Sequence, residues 1–136
     1  MRREAPPAIG LRVGAGLLAC LCVAGGCADA QRGSVGPADK VRFDLGAIGA
    51  DGLEGPPDGR RAVDYEFCVP AEEAVVAEVR RIDPTAQAHP GVRGRSGCRR
   101  GQVLVMGNTH HDRWRESLER LASLRYVKRI QRVDFE

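Results

Sequence analysis

Across residues 62–70 apolar and polar side chains alternate without a slip: Val63, Tyr65, Phe67 and Val69 against Asp64, Glu66 and Cys68. A period of two belongs to a strand with one buried face and one free face. Shifting the pairing by one residue would turn every side chain the wrong way, so the register is fixed. The segment after this strand has to cover one side of a sheet. Pro70 reads as the first residue of a helix, with Glu72 and Glu73 in its first turn and Arg80 and Arg81 in its last, a charge order that suits the helix dipole. Val75, Val79 and Ile82 recur at i, i+4 and i+7 as its buried stripe, and Asp83-Pro84 ends it.

The pattern then repeats. Residues 85–89 read as a short second strand, and PGVRGRSGCRRG as a loop over residues 90–101. Residues 102–106 form a run rich in Val and Leu, the kind found at a sheet centre, and Gly107-Asn108 is expected to break it. Thr109-x-x-Asp112 resembles a capping box. Trp114, Leu118, Leu121 and Leu124 then share one helix face. Residues 127–135 read as a last strand, with Val133 and Phe135 in phase and Ile130 out of phase. The expected class is α+β: a ferredoxin-like split βαβ (βαββαβ) domain over residues 62–136, with one antiparallel sheet and two helices on one face. In that arrangement the first strand lies between the third and the fourth. The helix-free face would carry Asp64 and Glu66 as exposed side chains.

The first forty residues have a different character. Arg2, Arg3 and Arg12 precede an uncharged run over residues 13–28 in which Leu17, Leu18, Leu21 and Val23 dominate. That run is shorter than a bilayer span and fits the apolar region of a signal peptide. The formal charge is +3, and removing a leader with three Arg and one Glu leaves about +1, which argues against bulk nucleic-acid binding. The expected division is a signal peptide over residues 1–26, a small-residue tether over 27–40 and an N-terminal arm of open order over 41–61. In the arm, Pro56-Pro57-Asp58-Gly59 is a turn signal. Asp51, Glu54 and Asp58 lack the spacing of a calcium loop and read as a solvated acidic stretch.

Of five cysteines, Cys20 and Cys22 belong to the leader and Cys27 stands directly after it. Cys68 and Cys98 remain in the body. Two cysteines in an exported domain read as one disulfide, with reactive thiols or metal ligation as the rivals. No closely spaced pair such as CxxC is present to favour zinc. The expected topology also sets the end of the first strand beside the start of the third, where these two residues lie.

Ala24-Gly25-Gly26-Cys27 resembles a lipobox, and residues 1–27 resemble a bacterial lipoprotein leader. The resemblance implies acylation and cleavage at Cys27, although Ala24 stands where Leu or Val is usual. Ordinary cleavage near residues 28–30 and an uncleaved anchor are the alternatives. GPPDG, DYEFCVPAEEA, IDP, the GRSGC loop and THxxxW make residues 41–136 similar to an uncharacterised family of small bacterial exported proteins. That resemblance implies no activity and transfers no catalytic residue.

Two clusters are candidates for chemistry. His110 and His111, with Asp112 beside them, sit where a strand meets a helix and suggest a metal or acid–base site; capping by Thr109 and Asp112, with solvated imidazoles, explains them more simply. Arg93, Arg95, Arg99 and Arg100 surround Cys98, and guanidinium forks suit phosphate and carboxylate. The loop lacks the aromatic side chains that stack on bases. No nucleophile elbow, P-loop or dinucleotide fingerprint occurs, so no catalytic residue, metal or cofactor is expected. The function expected is a lipid-anchored, non-enzymatic binding or structural module of the cell envelope, held to a membrane by its N-terminal lipid and facing an envelope protein or an anionic headgroup. The alternative is a small envelope enzyme or metal-handling protein using His110, His111 and Asp112.

Overall fold

The computed structural model describes residues 36–134. The segment expected as a signal peptide, Cys27 and Phe135 lie outside the described residues. The elements in chain order are α1 (Pro37–Lys40), a 3₁₀ turn (Leu45–Ala47), β1 (Leu53–Glu54), β2 (Arg61–Ala62), β3 (Asp64–Pro70), α2 (Glu73–Ile82), β4 (Gln87–His89), β5 (Gln102–Asn108), α3 (Trp114–Ser123) and β6 (Gln131–Val133). The fold is α+β. It has two antiparallel sheets rather than the one expected: a four-stranded sheet in the order β4-β5-β3-β6 and a two-stranded sheet of β1 and β2. The second sheet arises because the Pro56-Gly59 turn, closed by Gly59 N donating to the Pro56 carbonyl at 2.9 Å, folds the arm into a hairpin.

The alternation in β3 does what its period demands. Val63, Tyr65, Phe67 and Val69 are buried on one face beside Val103 and Val105 of β5. Val79 and Ile82 of α2 and Trp114, Leu118 and Leu121 of α3 complete that core. Ser117 Oγ joins the two helices by donating to the Ile82 carbonyl at 2.8 Å. Among the described residues, no helix is long and apolar enough to cross a membrane.

Several boundaries differ from those expected. Pro70 does not open a helix: it stays extended opposite Gln102, Glu72 is also extended, and α2 starts at Glu73. The second strand is shorter because Thr85 is drawn to Asp83, its amide and hydroxyl donating to Asp83 Oδ1 at 2.8 and 2.7 Å. Gly107-Asn108 does not break β5. Gly107 lies opposite Tyr65, and a Cβ there would stand 2.4 Å from Asp83 Oδ2, so glycine keeps room for the Tyr65–Asp83 hydrogen bond inside a continuous strand.

Thr109 caps no helix. It is fully buried, accepts from the Val63 amide at 2.9 Å and donates to the Gly52 carbonyl, stitching the arm to β5. Helix α3 begins later, after Arg113, which makes no side-chain cap. The last strand is confined to Gln131–Val133. Ile130 is out of phase because it is not in the sheet: its amide donates to the Lys40 carbonyl and its carbonyl accepts from Arg42, while its side chain is buried.

The arm is packed onto the domain. Ile48 is buried, Trp114 Nε1 donates to the Ala50 carbonyl at 3.2 Å, and the Arg115 guanidinium lies 4.5 Å above the Trp114 ring. Lys40 Nζ donates to the Leu124 carbonyl at 3.0 Å, so Pro37–Lys40 is seated against the end of α3.

Candidate functional site: a basic loop fastened over the sheet

The face of β3 opposite the helices is not open. Glu66, expected in solvent, is buried at 3% exposure, and Leu104 beside it at 1%. The cover is the loop over residues 90–101. The Ser96 amide donates to Glu66 Oε1, and Gln131 Nε2 donates to the same oxygen at 3.1 Å. A buried carboxylate is stable only with such donors. Gly94 has φ +58°, and a Cβ there would come within 2.8 Å of both Leu104 methyls and of Glu66 Oε2. Only glycine lets the backbone approach that closely. Asp64, at the end of the same face, is half-buried, and loss of hydration pushes its carboxyl above the usual range.

The loop is also held covalently. Cys68 and Cys98 form the expected disulfide, with Cα atoms 5.4 Å apart. Arg129 adds a tie from the segment before β6, its Nη2 donating to the Ser96 carbonyl at 2.9 Å.

These anchors leave the charges outside. Arg93, Arg95, Arg99 and Arg100 are all exposed. Arg95 turns to the chain end and donates to the Asp134 carbonyl at 2.9 Å. Arg93, Arg99 and Arg100 line one cleft with Gly91, Val92, Cys98 and Gln102. Arg99 and Gln102 also face a second cleft of about 540 Å³, completed by Lys128 and Arg129 and floored by Cys68 and Ser96. Among the described residues, none of Arg93, Arg99, Arg100, Lys128 and Arg129 has a carboxylate within 4.0 Å.

Lys128 and Arg129 are not among the residues that stand out in the sequence, yet a signal for them is there. In the antiparallel pairing, Gln131 faces Glu66 and Arg132 faces Tyr65. Continuing that register two residues back sets Arg129 beside Cys68. A strand order that pairs first and fourth strands therefore brings this basic pair to the disulfide.

The histidines do not converge. His110 and Asp112 are exposed, and the His110 amide donates to Asn108 Oδ1 at 2.9 Å. His111 turns inward, with its Nε2 buried, without a hydrogen-bond partner among the described residues, and 3.8 Å from Asp83 Oδ1. Asp83 is fully buried and also accepts from the Tyr65 hydroxyl at 2.7 Å. His89 lies elsewhere, lining a small cleft with Asp64 and Asn108. Among the described residues, no three of His, Cys, Asp and Glu come together as metal ligands would.

In comparisons with protein-family models, curated proteins and solved structures, the chain matches none.

Proposed function

We propose that the chain is a lipid-anchored, non-enzymatic binding module of the cell envelope, exported by its leader and acylated at Cys27. In this reading its body is a ferredoxin-like unit decorated by an N-terminal hairpin, and it belongs with the small bacterial exported proteins whose GPPDG, YEFC and THxxxW segments it resembles. The strand order β4-β5-β3-β6 supports the ferredoxin-like part. One observation carries the binding part: a loop rich in arginine is fastened to the sheet by a disulfide and by buried Glu66, with Arg93, Arg99 and Arg100 exposed and, among the described residues, no carboxylate within 4.0 Å of them. Arginines on a preordered loop lose less freedom when they meet an anion than arginines on a free one. Fold alone assigns no activity, since this architecture hosts many.

Metabolic labelling of the full chain with a fatty-acid analogue tests the anchor. Label on the wild-type chain and none on Cys27→Ala is expected; equal label on both sinks the lipoprotein reading. The competing reading, a metal-handling protein or enzyme using His110, His111 and Asp112, is favoured by the unpartnered His111 Nε2 alone. Zinc titration of the full chain tests it: tight binding lost in His111→Ala would move the conclusion there.

A further inference from the structure

We propose that the loop over residues 90–101, together with Lys128 and Arg129, docks onto an anionic phospholipid surface. The inference deepens the reading of a lipid-anchored module by naming what its basic face meets. Two observations carry it. The first is charge. Arg93, Arg99, Arg100, Lys128 and Arg129 line two clefts that share Arg99 and Gln102, and neither cleft has a carboxylate in its lining. One small anion needs one or two such partners. Five on a continuous face suit a layer of headgroup phosphates, each met by a guanidinium fork or an ammonium. The second is apolar. Among the described residues, Val92 is the large hydrophobic side chain left exposed, at 50%, and it lines the first cleft between Gly91 and Arg93. An apolar tip ringed by arginines is the composition of a surface that sits at the boundary between headgroups and acyl chains.

The loop's backbone suits such an approach. Gly91, Gly97 and Gly101 all have positive φ, and a Cβ at any of them would meet nothing within 4 Å, so the outer side of the loop is unobstructed. The inner side is immobilised by Cys68–Cys98, by Ser96 on Glu66 and by Arg129 on the Ser96 carbonyl. The cations are therefore presented together rather than one at a time.

The test uses the full chain carrying Cys27→Ala, so that no lipid anchor holds it to the membrane. The readout is partitioning onto phosphatidylglycerol vesicles divided by partitioning onto phosphatidylcholine vesicles; the leader, with Arg2, Arg3 and Arg12, is the same in every variant, so its contribution cancels when the variants are compared with the parent. The ratio should exceed one and fall with salt. Arg99→Gln with Lys128→Gln should lower it about 30-fold, roughly fivefold for each basic side chain removed from the surface. Arg80→Gln with Arg81→Gln removes the same charge from the exposed side of α2 and should change the ratio less than twofold. In Val92→Trp, emission should shift to the blue on phosphatidylglycerol vesicles, against the constant background of buried Trp114. Equal losses in the two double variants would mean that only net charge matters and would overturn the proposal, as would an unshifted Val92→Trp emission. Binding to soluble polyphosphate with the same Arg99 and Lys128 dependence, but not to vesicles, would overturn it in favour of a soluble anion. Cys27 acylation is read separately, so a failed anchor and a failed docking surface are told apart.

Discussion

The two faces of the four-stranded sheet are covered by different means. On one, α2 and α3 bury Val79, Ile82, Leu118 and Leu121 against Val63, Tyr65, Phe67 and Val69, and no single contact defines the arrangement. On the other, a loop without regular structure is held by one disulfide, one buried carboxylate and one glycine of positive φ. Burial shared among many apolar side chains tolerates change in proportion to the area lost. A cover held by a few singular ties fails when one of them is altered. The difference suits the roles proposed for the two sides: the helix face supplies the stability, and the loop face presents charge with little apolar area of its own.

The largest effect should come from the helix face. Trp114 is buried at 2%, anchors the start of α3 and holds the arm through Ala50. Trp114→Ala should cost about 3–5 kcal/mol, measured by denaturant unfolding, and should release residues 41–61 as well. A cost below 1 kcal/mol would mean that this face is not where the stability lies.

Next is the disulfide. Cys68 and Cys98 are 30 residues apart, and loss of the link by Cys68→Ser with Cys98→Ser should cost about 3–4 kcal/mol in the loop-entropy account. The comparison is sharpened by where the loss shows. Amide exchange should rise steeply over residues 94–98 and much less in β3 and β5. A uniform rise would mean that both faces fail together. Gly94→Ala should act in the same place with a smaller cost, about 1–3 kcal/mol, because the left-handed backbone disfavours any side chain and the methyl meets Leu104 and Glu66.

The same contrast explains what the sequence disclosed. The helix face was legible because burial by regular elements leaves a period: the apolar side of the alternation around β3 and Val79, Ile82, Trp114, Leu118 and Leu121 of the two stripes carried into the core, with Val75 and Leu124 half-buried against it. The disulfide was legible because strand order and cysteine count converged on it. The burial of Glu66 was not, since the cover comes from residues thirty positions away in a loop with no period. Thr109 misleads because the same hydroxyl that caps helices also bonds strand ends, and only the neighbouring Val63 and Gly52 decide between them. The basic cleft was half legible. Its arginines stood out in the loop, whereas Lys128 and Arg129 needed the register of β6 on β3.

A further effect concerns the Tyr65–Asp83 pair on the helix side, and it probes whether that face is as uniformly apolar in behaviour as its period suggests. The Tyr65 hydroxyl is buried and donates to Asp83 Oδ2 at 2.7 Å, and burial first, then the Asp83 charge, pushes its pKa far above the ordinary 10. Tyr126 moves the same way, to about 12, through partial burial and its hydrogen bond to Glu78. Both folded-state values lie above the unfolded one. The stability linked to these protons is therefore fully present below pH about 10 and is lost as pH rises beyond it, because the unfolded chain then releases protons that the folded chain retains. Absorbance at 295 nm should accordingly show no tyrosine ionising near pH 10 in the native protein, and ionisation of Tyr65 should coincide with base unfolding. Tyr65→Phe should remove that coincidence, leaving Tyr126 to titrate near 12. It should also cost about 1–3 kcal/mol at neutral pH, because Asp83 loses a donor while remaining buried. In Tyr126→Phe, where Tyr65 is the remaining tyrosine, reversible ionisation near pH 10 with near-UV circular dichroism unchanged would show that solvent reaches the Tyr65–Asp83 pair and that the helix face is looser than its packing implies.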